Sequence, residues 1–374
     1  MTDIEMLEKI KQLLKNPVKA DIKKITDSFK DKTVLIYGAG SFGKEMFSFL
    51  KESGITVSAF LDRNAQKLGS VMSAEVFSLE SFNQDKSNTV VIMSIVCDKD
   101  IRKKILSDIK DAGFSNIIEA QSIRCLMVDF TKGYCLDGAF EKIEDIYKRL
   151  ADEKSKKIYL QNILAHLSRN YSECGELEDN MDKQYFPDDI KSVKGYSSFI
   201  DCGGFIGDTV EQLLKRTTPK RVVSFEPFID NYKKLSEFCQ SQRDKGIEFT
   251  LMNNAVSDKI AKLTFATGTG SGAISENGDT VITAVSIDEA LVGIEPTFLK
   301  MDIEGSEIDA LKGAYNTIKA SKPDMAICVY HNIEHLWEIP YYIKSIDSDY
   351  EFYFRNYNAF TMETVLYAYN RKEV

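Results

Sequence analysis

The stretch Ser198-Phe-Ile-Asp-Cys-Gly-Gly-Phe-Ile-Gly-Asp-Thr-Val210 decides the fold of the second half of this chain. It predicts a buried strand that runs into a glycine turn, and the turn opens a helix. Asp201 stands at the carboxyl end of that strand, and Gly203, Gly204 and Gly207 follow it. Because glycine has no Cβ, these positions let the backbone bend tightly and approach a ligand closely. The acid precedes the glycines, a spacing that differs from the dinucleotide fingerprint and is typical of proteins that bind a nucleoside joined to methionine.

The next predicted strand, Arg221-Val-Val-Ser-Phe-Glu226-Pro227, is an apolar run that ends in a carboxylate. It follows at the distance expected for one strand, helix and strand unit. A carboxylate at this place can bridge two vicinal ribose hydroxyls, as the acid about 20 residues beyond the glycines does in dinucleotide-binding folds. The pair of motifs therefore predicts an adenosine ribose without saying which cofactor carries it.

Composition limits the class of protein. The chain has 374 residues, and since single cores stop growing at about 250 to 300 residues, two domains are expected. Its 57 acidic residues outnumber 48 Lys and Arg, for a formal charge of -9, which argues against a nucleic-acid partner.

Seven cysteines without Cys-x-x-Cys pairs indicate reduced thiols. Residues 1–30 predict an amphipathic helical segment rather than a signal peptide, and no run of about 18 apolar residues suggests a membrane span. We expect a cytoplasmic protein, for which a homo-oligomer is possible.

A second glycine pattern lies near the start, in Thr33-Val-Leu-Ile-Tyr-Gly38-Ala-Gly40-Ser-Phe-Gly43. It has the Gly-x-Gly-x-x-Gly spacing between a predicted strand and a helix, and Asp62 ends the following strand. Further apolar runs flank a helical pattern near residues 100–112. Residues 31–125 therefore predict a small parallel sheet with alternating helices.

The middle of the chain, residues 126–195, has a charged helical pattern without strand signals, and we interpret it as a connector that packs on the domain formed by residues 196–374. Within it, the acidic stretch from Glu173 to Lys183 predicts a loop near a site. The glycine-rich Thr267–Gly272 lacks the Lys-Ser/Thr ending of a phosphate-binding loop and opens no helix. Residues 350–354 and 364–369 predict a closing antiparallel pair.

Several of these blocks, in this order, resemble the FkbM family of S-adenosylmethionine-dependent methyltransferases. They are Phe-Ile-Asp-Cys-Gly-Gly-Phe-Ile-Gly-Asp, Ser-Phe-Glu-Pro, Asn-Ala-Val-Ser-Asp, Leu-Lys-Met-Asp-Ile-Glu-Gly-Ser-Glu, Leu-Lys-Gly-Ala and Val-Tyr-His, within residues 197–370. The resemblance implies an α/β fold with two Rossmann-like domains, of which the second has a seven-stranded methyltransferase sheet with an antiparallel last strand. It also implies methyl transfer from S-adenosylmethionine, usually to a hydroxyl oxygen.

The resemblance implies roles for individual residues. The expected cofactor-binding set is Asp201, Gly203, Gly204 and Gly207 for the methionine and ribose part, Glu226 with Pro227 for the ribose diol, Asn254 and Ala255 for the adenine side, and Asp302 beside the sulfonium. At the first turn, Cys202 and Gly204 replace the bulkier or amide residues of the commonest pattern, which affects the expected contacts to the amino-acid end of the cofactor.

Alcohols are poor nucleophiles at neutral pH, and a positioned base adds about 10² to 10⁴-fold to the rate of transfer. His331, Asp302 and Glu304 are the predicted catalytic residues. We favour His331 as the base, since an unperturbed imidazole pKa of about 6.5 suits proton acceptance. No metal site is predicted, although His331 and His335 could ligate a metal with Asp302 or Glu304; loss of activity with EDTA would support that alternative.

The first domain is similar to the nucleotide-sugar-binding domain that precedes bacterial sugar-modifying acetyltransferases. That resemblance implies that Gly38, Gly40, Gly43 and Asp62 bind a nucleotide-linked sugar. A docking domain with an empty turn, or an NAD site, are the alternatives. The resulting expectation is a methyltransferase acting on a hydroxyl of a sugar, nucleotide sugar or glycan precursor. A non-catalytic module that binds nucleotide and S-adenosylmethionine, or an NAD-dependent oxidoreductase, remain as alternatives.

Overall fold

The computed structural model describes residues 1–16, 27–95, 99–120, 136–171, 180–265, 280–358 and 360–373, with residues 18, 23, 97, 122–123, 174 and 178. The glycine-rich stretch 267–272 and most of the acidic stretch 173–179 lie outside these residues. Within the described part of the chain, no helix combines the length and the apolar character that crossing a membrane requires.

The first third of the chain forms a six-stranded sheet in the order β3-β4-β2-β1-β5-β6. Its elements are α1 (Asp3–Lys15), β1 (Thr33–Tyr37), α2 (Ser41–Glu52), β2 (Val57–Leu61), α3 (Ala65–Leu68), β3 (Ser70–Val71), β4 (Ala74–Phe77), β5 (Thr89–Met93), α4 (Lys99–Asp111) and β6 (Asn116–Glu119). Adjacent strands run parallel, except that β3 is antiparallel to β4. The predicted small parallel sheet is therefore present, with β3 and β4 as an added edge that was not predicted because strands of two to four residues carry little periodicity.

The rest of the chain forms a second α/β unit. Its elements are α5 (Ala139–Tyr147), α6 (Glu153–Ser168), β7 (Ser198–Cys202), α7 (Asp208–Arg216), β8 (Arg221–Phe225), α8 (Ile229–Ser241), β9 (Glu248–Met252), β10 (Ala255–Val256), β11 (Ala261–Phe265), β12 (Thr280–Val285), α9 (Ile287–Ala290), β13 (Phe298–Met301), α10 (Glu307–Lys312), α11 (Tyr315–Ser321), β14 (Asp324–Cys328), α12 (His335–Ile346), β15 (Tyr350–Asn356) and β16 (Thr364–Asn370).

Seven of these strands form one sheet in the order β15-β16-β14-β13-β7-β8-β9. The five strands β14, β13, β7, β8 and β9 run parallel to one another, and β16 is antiparallel to both of its neighbours, β14 and β15. This confirms the predicted seven-stranded sheet with an antiparallel last strand. A separate three-stranded sheet has the order β10-β12-β11.

The register of the large sheet brings distant residues to one edge. Cys202, the last residue of β7, is paired with Phe225 of β8 and with Met301 of β13. Because these three residues lie side by side, Gly203, Glu226 and Asp302, which follow them directly, leave the sheet at the same place. The carboxyl edge of parallel strands is where open α/β sheets bind ligands.

The helices α1, α5 and α6 pack into the core of the second unit. Met6, Ile10 and Leu14 of α1 are buried in the same apolar cluster as Ile158 of α6 and Leu366 of β16. In addition, the Tyr147 hydroxyl donates a hydrogen bond of 2.5 Å to Asp3 Oδ2. The first helix thus belongs to the core of the second unit, whereas the sequence left it as a separate segment.

Candidate active site

A cavity of about 300 Å³ opens at the carboxyl edge of the seven-stranded sheet. It is lined by Tyr185, Gly203, Phe205, Asp208, Thr209, Phe225, Glu226, Pro227, Phe228, Asn231, Asn254, Ala255, Val256, Leu263, Lys300, Asp302, Ile303, Glu304 and Ser306. Seven of the predicted site residues are in this lining: Gly203, Glu226, Pro227, Asn254, Ala255, Asp302 and Glu304. Asp201, Gly204, Gly207 and His331 are not.

The glycine turn after β7 is shaped by close contacts with the chain itself. Gly203 has a φ of +88°, and a Cβ there would stand 2.0 Å from the carbonyl oxygen of Asp302. A Cβ on Gly204 would approach Leu235 Cδ2 to 3.0 Å, and one on Gly207, whose φ is +94°, would approach Phe238 Cδ1 to 2.9 Å. Gly204 and Gly207 therefore permit the packing of the turn on α8, and their predicted contact with a ligand stays a prediction.

Asp201 forms a buried ion pair with Lys300. Its Oδ1 lies 3.0 Å from Lys300 Nζ, and the side chains are 0% and 2% exposed. Burial raises the pKa of Asp201 and Lys300 opposes that shift. Lys300 Nζ also donates a hydrogen bond of 2.7 Å to the Gly203 carbonyl oxygen. Asp201 is thus linked to the glycine turn through Lys300, and its predicted contact with a cofactor stays a prediction.

Glu226 is fixed in the cavity wall by the backbone. Its Oε2 accepts a 2.9 Å hydrogen bond from the Phe205 N–H, and its Oε1 accepts one of 2.9 Å from the Phe228 N–H. Burial raises the pKa of this carboxyl, and the two backbone donors oppose the shift. The carboxylate is therefore held in one orientation, at the place predicted for a ribose-binding acid.

The small sheet supplies another part of the cavity lining. Asn254 and Ala255 lie in the lining with Val256 and Leu263, beside the small sheet. The Asn254 side-chain amide donates a 3.1 Å hydrogen bond to the Thr283 carbonyl oxygen. This end has the apolar character that a flat base requires, and it is where the sequence placed the adenine.

Two tyrosines hold the carboxylate of Asp302. The Tyr185 hydroxyl donates a hydrogen bond of 2.8 Å to Oδ2, and the Tyr330 hydroxyl donates one of 3.3 Å to Oδ1. Burial raises the pKa of both tyrosines well above 10, so they remain donors at neutral pH. Neither tyrosine was predicted. Tyr185 lies in an irregular segment more than a hundred residues before Asp302, where no periodic pattern marks it.

His331 stands among three carboxylates. Its Nδ1 is 3.0 Å from Glu307 Oε1, and its Nε2 is 3.5 Å from Asp302 Oδ1 and 3.6 Å from Glu304 Oε2. Burial lowers the pKa of His331, but Glu307 and the two other acids outweigh burial and raise it to about 9. The argument from an unperturbed pKa is therefore wrong, because this imidazole is a cation at neutral pH.

Glu307 is a buried acid that lies beside both His331 and His335. Its Oε1 accepts hydrogen bonds from the backbone N–H groups of Ile303, at 3.0 Å, and Gly305, at 3.4 Å. Burial raises its pKa, but His331 and the other donors lower it to about 2. His335 Nδ1 lies 3.3 Å from Glu307 Oε2, and its Nε2 is 3.2 Å from the amide nitrogen of Asn332. Both imidazoles thus approach Glu307, and that of His331 also approaches Asp302 and Glu304.

The glycine turn of the first sheet has a different environment. Gly38 has a φ of +101°, and a Cβ on Gly43 would stand 1.9 Å from the Gly38 carbonyl oxygen, whereas a Cβ on Gly40 would meet nothing within 4 Å. Asp62 Oδ2 accepts a 2.9 Å hydrogen bond from the Ala39 N–H, and Oδ1 accepts one of 2.8 Å from the Asn64 N–H. The Asp62 carboxylate therefore accepts one hydrogen bond from the glycine turn and one from the turn that follows Asp62 itself.

A second cavity, of about 670 Å³, lies beside Asp62. Its lining consists of Tyr37, Asp62, Arg63, Ser78, Leu79, Glu80, Lys86, Asp108, Asp111 and Ala112. Arg63 pairs with Asp108 at 3.1 Å, and Lys86 Nζ donates a 2.8 Å hydrogen bond to the Ala112 carbonyl oxygen. Gly38, Gly40 and Gly43 are not in this lining, so the structure brings only Asp62 of the four predicted residues to the cavity.

Comparisons with known proteins agree with the architecture of the second unit. Residues 201–358 match the family model of the methyltransferase FkbM domain. The crystal structure of methyltransferase FkbM from Methylobacillus flagellatus KT is 21% identical, with 98% of this chain and 100% of that chain covered and a TM-score of 0.69. A methyltransferase from Geobacter sulfurreducens is 12% identical, with 62% and 87% covered and a TM-score of 0.30. The comparison with curated proteins gave no match.

The fold is therefore that of a methyltransferase, and it is shared with the Methylobacillus protein over nearly the whole chain. Within it, the similarity to the methyltransferase FkbM domain covers residues 201–358.

Proposed function

We propose that this protein transfers a methyl group from S-adenosylmethionine to a hydroxyl oxygen of a sugar, nucleotide sugar or glycan precursor. The observation that carries the proposal is the position of Glu226, whose carboxylate is fixed by two backbone donors in the wall of a cavity at the carboxyl edge of a methyltransferase sheet. The family match to residues 201–358 supports methyl transfer. The hydroxyl acceptor follows from the resemblance.

The cavity fits the proposed cofactor. Its volume of about 300 Å³ is at the lower end of the range of about 300 to 1,000 Å³ that small-molecule sites occupy. Glu226 would hold the ribose hydroxyls, Asn254 and Ala255 would face the adenine, and Gly203 with Asp302 would face the methionine end. A Cβ at Gly203 would overlap the Asp302 backbone, so this conformation of the turn requires glycine at that position.

When bound, the cofactor supplies a methyl group made electrophilic by its sulfonium. The residues of this chain position the acceptor, and orientation alone accounts for much of the acceleration in such displacements. We propose that Asp302, Glu304 and His331 surround the acceptor oxygen. Because His331 is protonated at neutral pH, its Nε2–H is suited to donate a hydrogen bond to that oxygen and hold its lone pair toward the methyl group.

Incubation with radiolabelled S-adenosylmethionine and a panel of nucleotide sugars and simple glycosides tests the proposal. Label in an acceptor that resists base hydrolysis, as an ether does and an ester does not, would support hydroxyl methylation of a sugar. Binding of the cofactor by calorimetry with no transfer to any acceptor would favour the non-catalytic module. Formation of NADH from NAD and an added sugar would favour the oxidoreductase.

For the first domain, we propose that the cavity beside Asp62 receives the nucleotide part of a nucleotide sugar. Its support is the volume of about 670 Å³ next to a predicted binding acid. The hydrogen bonds of Asp62 to its own turn favour the alternative of a docking domain with an empty turn. Scanning fluorimetry with UDP-sugars, with NAD and without ligand separates these functions, since only a bound ligand raises the melting temperature.

A further inference from the structure

We propose that Glu363 accepts the proton of the acceptor hydroxyl, while His331 holds the same oxygen from the other side. This inference rests on the proposed function and assigns the proton acceptor to a residue outside the predicted set. It concerns one corner of the site, where the turn between β15 and β16 meets the carboxyl ends of β13 and β14.

Glu363 lies beside Asp302, a residue of the cavity wall. Its carboxylate, the Asp302 carboxylate and the Cys328 thiol lie within 4.8 Å of one another, and Asp302 lines the cavity. Gln184 Nε2 donates a hydrogen bond of 2.6 Å to Glu363 Oε2. Gln184 stands beside Tyr185, so one short segment orients both acids, Glu363 through the amide and Asp302 through the phenol.

The turn that carries Glu363 is held in place by hydrogen bonds on both sides. Within it, the Tyr357 N–H donates to the Glu363 carbonyl oxygen at 3.2 Å, and the Asn358 N–H donates to the Met362 carbonyl oxygen at 3.2 Å. From α6, His166 Nε2 lies 2.9 Å from the hydroxyl oxygen of Thr361. The carboxylate is therefore presented from a fixed backbone, as a positioned base requires.

Elimination among the neighbouring groups favours Glu363. Both oxygens of Asp302 already accept tyrosine hydroxyls. Glu307 accepts two backbone N–H groups and has a pKa of about 2, which makes it a very weak base. His331 has a pKa of about 9 and carries its proton at neutral pH. Glu304 also lines the cavity, but its side chain is 47% exposed, so water stabilises its charged form and makes it a weaker base than a buried carboxylate.

The charges around Glu363 suit a proton acceptor at neutral pH. Burial raises its pKa, the facing Asp302 raises it further, Gln184 and His331 lower it and Glu304 raises it, for a value of about 7. The other titratable groups that face this corner are Tyr185, Tyr330 and Cys328, all with pKa values raised well above their usual range. They remain neutral while Glu363 exchanges its proton.

A second observation supports the binding of the methyl-accepting hydroxyl at this corner. The side chain of His331 is only 10% exposed, and its Nε2 has no hydrogen-bond partner among the described residues. At 3.5 Å and 3.6 Å from Asp302 and Glu304, it is aimed between them. A hydroxyl oxygen placed there would satisfy this buried donor, which otherwise costs free energy.

The step balances without a further reactant. The acceptor oxygen forms a bond to the methyl carbon, and the bond from that carbon to sulfur breaks and leaves its electron pair on sulfur. The proton of the hydroxyl passes to the Glu363 carboxylate, which releases it to solvent after the product leaves.

Calorimetry on the whole protein tests the position of Glu363 without an acceptor. S-adenosylmethionine and S-adenosylhomocysteine share the adenosine and the amino acid, so the ratio of their affinities reports on groups near the sulfonium alone. In the wild type, we expect the preference for the cation to rise several-fold as Glu363 ionises between about pH 6 and about pH 8. Glu363→Gln should abolish this rise. Glu351→Gln, on the same hairpin but paired with Arg371, should retain it.

A second measurement tests the chemical role. With the acceptor found in the label-transfer panel, Glu363→Gln should lower kcat by about 10²-fold or more and leave cofactor affinity within a factor of about two. A rise in the affinity ratio that persists in Glu363→Gln, or an unchanged kcat, would overturn the inference and leave the methyltransferase proposal intact. Failure of the wild type to bind either nucleoside would overturn both.

Discussion

The two glycine turns of this protein follow the same order of strand, turn and helix, yet their glycines have different surroundings. In the turn after β7, the acid of the neighbouring strand, Glu226, lines a cavity. Gly203 of that turn lines the same cavity. In the turn after β1, the corresponding acid, Asp62, also lines a cavity and accepts a hydrogen bond from the Ala39 N–H, but none of Gly38, Gly40 and Gly43 lines that cavity. Both turns need glycine because another part of the backbone lies very close. A Cβ on Gly203 would stand 2.0 Å from the Asp302 carbonyl oxygen, and a Cβ on Gly43 would stand 1.9 Å from the Gly38 carbonyl oxygen. A glycine turn thus predicts a backbone shape, and its spacing does not show whether the glycines line a cavity.

The largest expected difference concerns the ion pairs of the two regions. Asp201→Ala leaves Lys300 charged and buried without its partner, so we expect the free energy of unfolding to fall by about 3 to 5 kcal/mol. Asp108→Ala removes the partner of Arg63 in the first sheet, where the side chains are 38% and 64% exposed, and should cost less than about 1 kcal/mol. Urea unfolding of both variants measures this. Equal losses would show that the Asp201 pair is not what holds the second turn.

The next largest difference is the loss of stability when a glycine of each turn is replaced by alanine. Gly203→Ala combines a positive φ with a Cβ 2.0 Å from a backbone oxygen, so we expect a loss of at least about 2 kcal/mol. Gly40→Ala places a methyl group where nothing lies within 4 Å and should cost less than about 1 kcal/mol. Chemical denaturation again gives the values, and a tolerated Gly203→Ala would contradict the close approach to Asp302.

The two acids should differ in cofactor binding. Glu226→Ala removes a hydrogen-bond acceptor from the cavity wall, worth about 1.5 to 3 kcal/mol for a charged group, and should weaken S-adenosylmethionine binding about 10- to 100-fold. Asp62→Ala should leave that affinity unchanged. Calorimetry distinguishes them, and a Glu226→Ala protein of wild-type affinity would remove the basis of the proposed ribose site.

The smallest effect is a pH dependence confined to the second unit. The chain has three histidines, at 166, 331 and 335, and His331 has the raised pKa, of about 9. A raised pKa stabilises the folded state fully below the unfolded pKa of about 6.5. That contribution should be lost as pH rises from about 7 through 9.

His331→Gln should flatten this part of the stability curve. His166 and His335, whose pKa values are lowered by burial to about 3 and about 4, act in the opposite direction and only below about pH 6.5. They therefore serve as internal controls. A decline between pH 7 and 9 that is equally steep in the variant would show that His331 is not a cation in the folded protein.

Much of the fold was predictable because its signals are local. The strand that ends at Asp201, the acid at 226 and the antiparallel pair that closes the sheet were each visible in a window of a few residues. The three glycines were visible too, but the reason for them was not, since the oxygen that Gly203 avoids belongs to a residue 99 positions later.

The chemistry of the site was less predictable for the same reason. Tyr185, Gln184 and Glu363 come from an irregular segment and a hairpin turn, and they reach Asp302 only through the tertiary fold. The charge on His331 depends on Glu307, 24 residues earlier and fully buried. No spacing rule connects these residues, so the sequence could place candidates at strand ends without ranking them.

The packing of α1 has a consequence for how the chain is built. Helix α1 precedes the six-stranded sheet and helices α5 and α6 follow it, yet all three helices are buried in one apolar cluster. The first sheet is therefore flanked in sequence by two parts of the same body, like an insertion anchored at both ends. A fragment that began after this sheet would lack Met6, Ile10 and Leu14 and expose the apolar surface they cover. This cluster is therefore built from two separate parts of the chain. A variant designed without the first sheet should retain α1 and connect it to α5 by a linker.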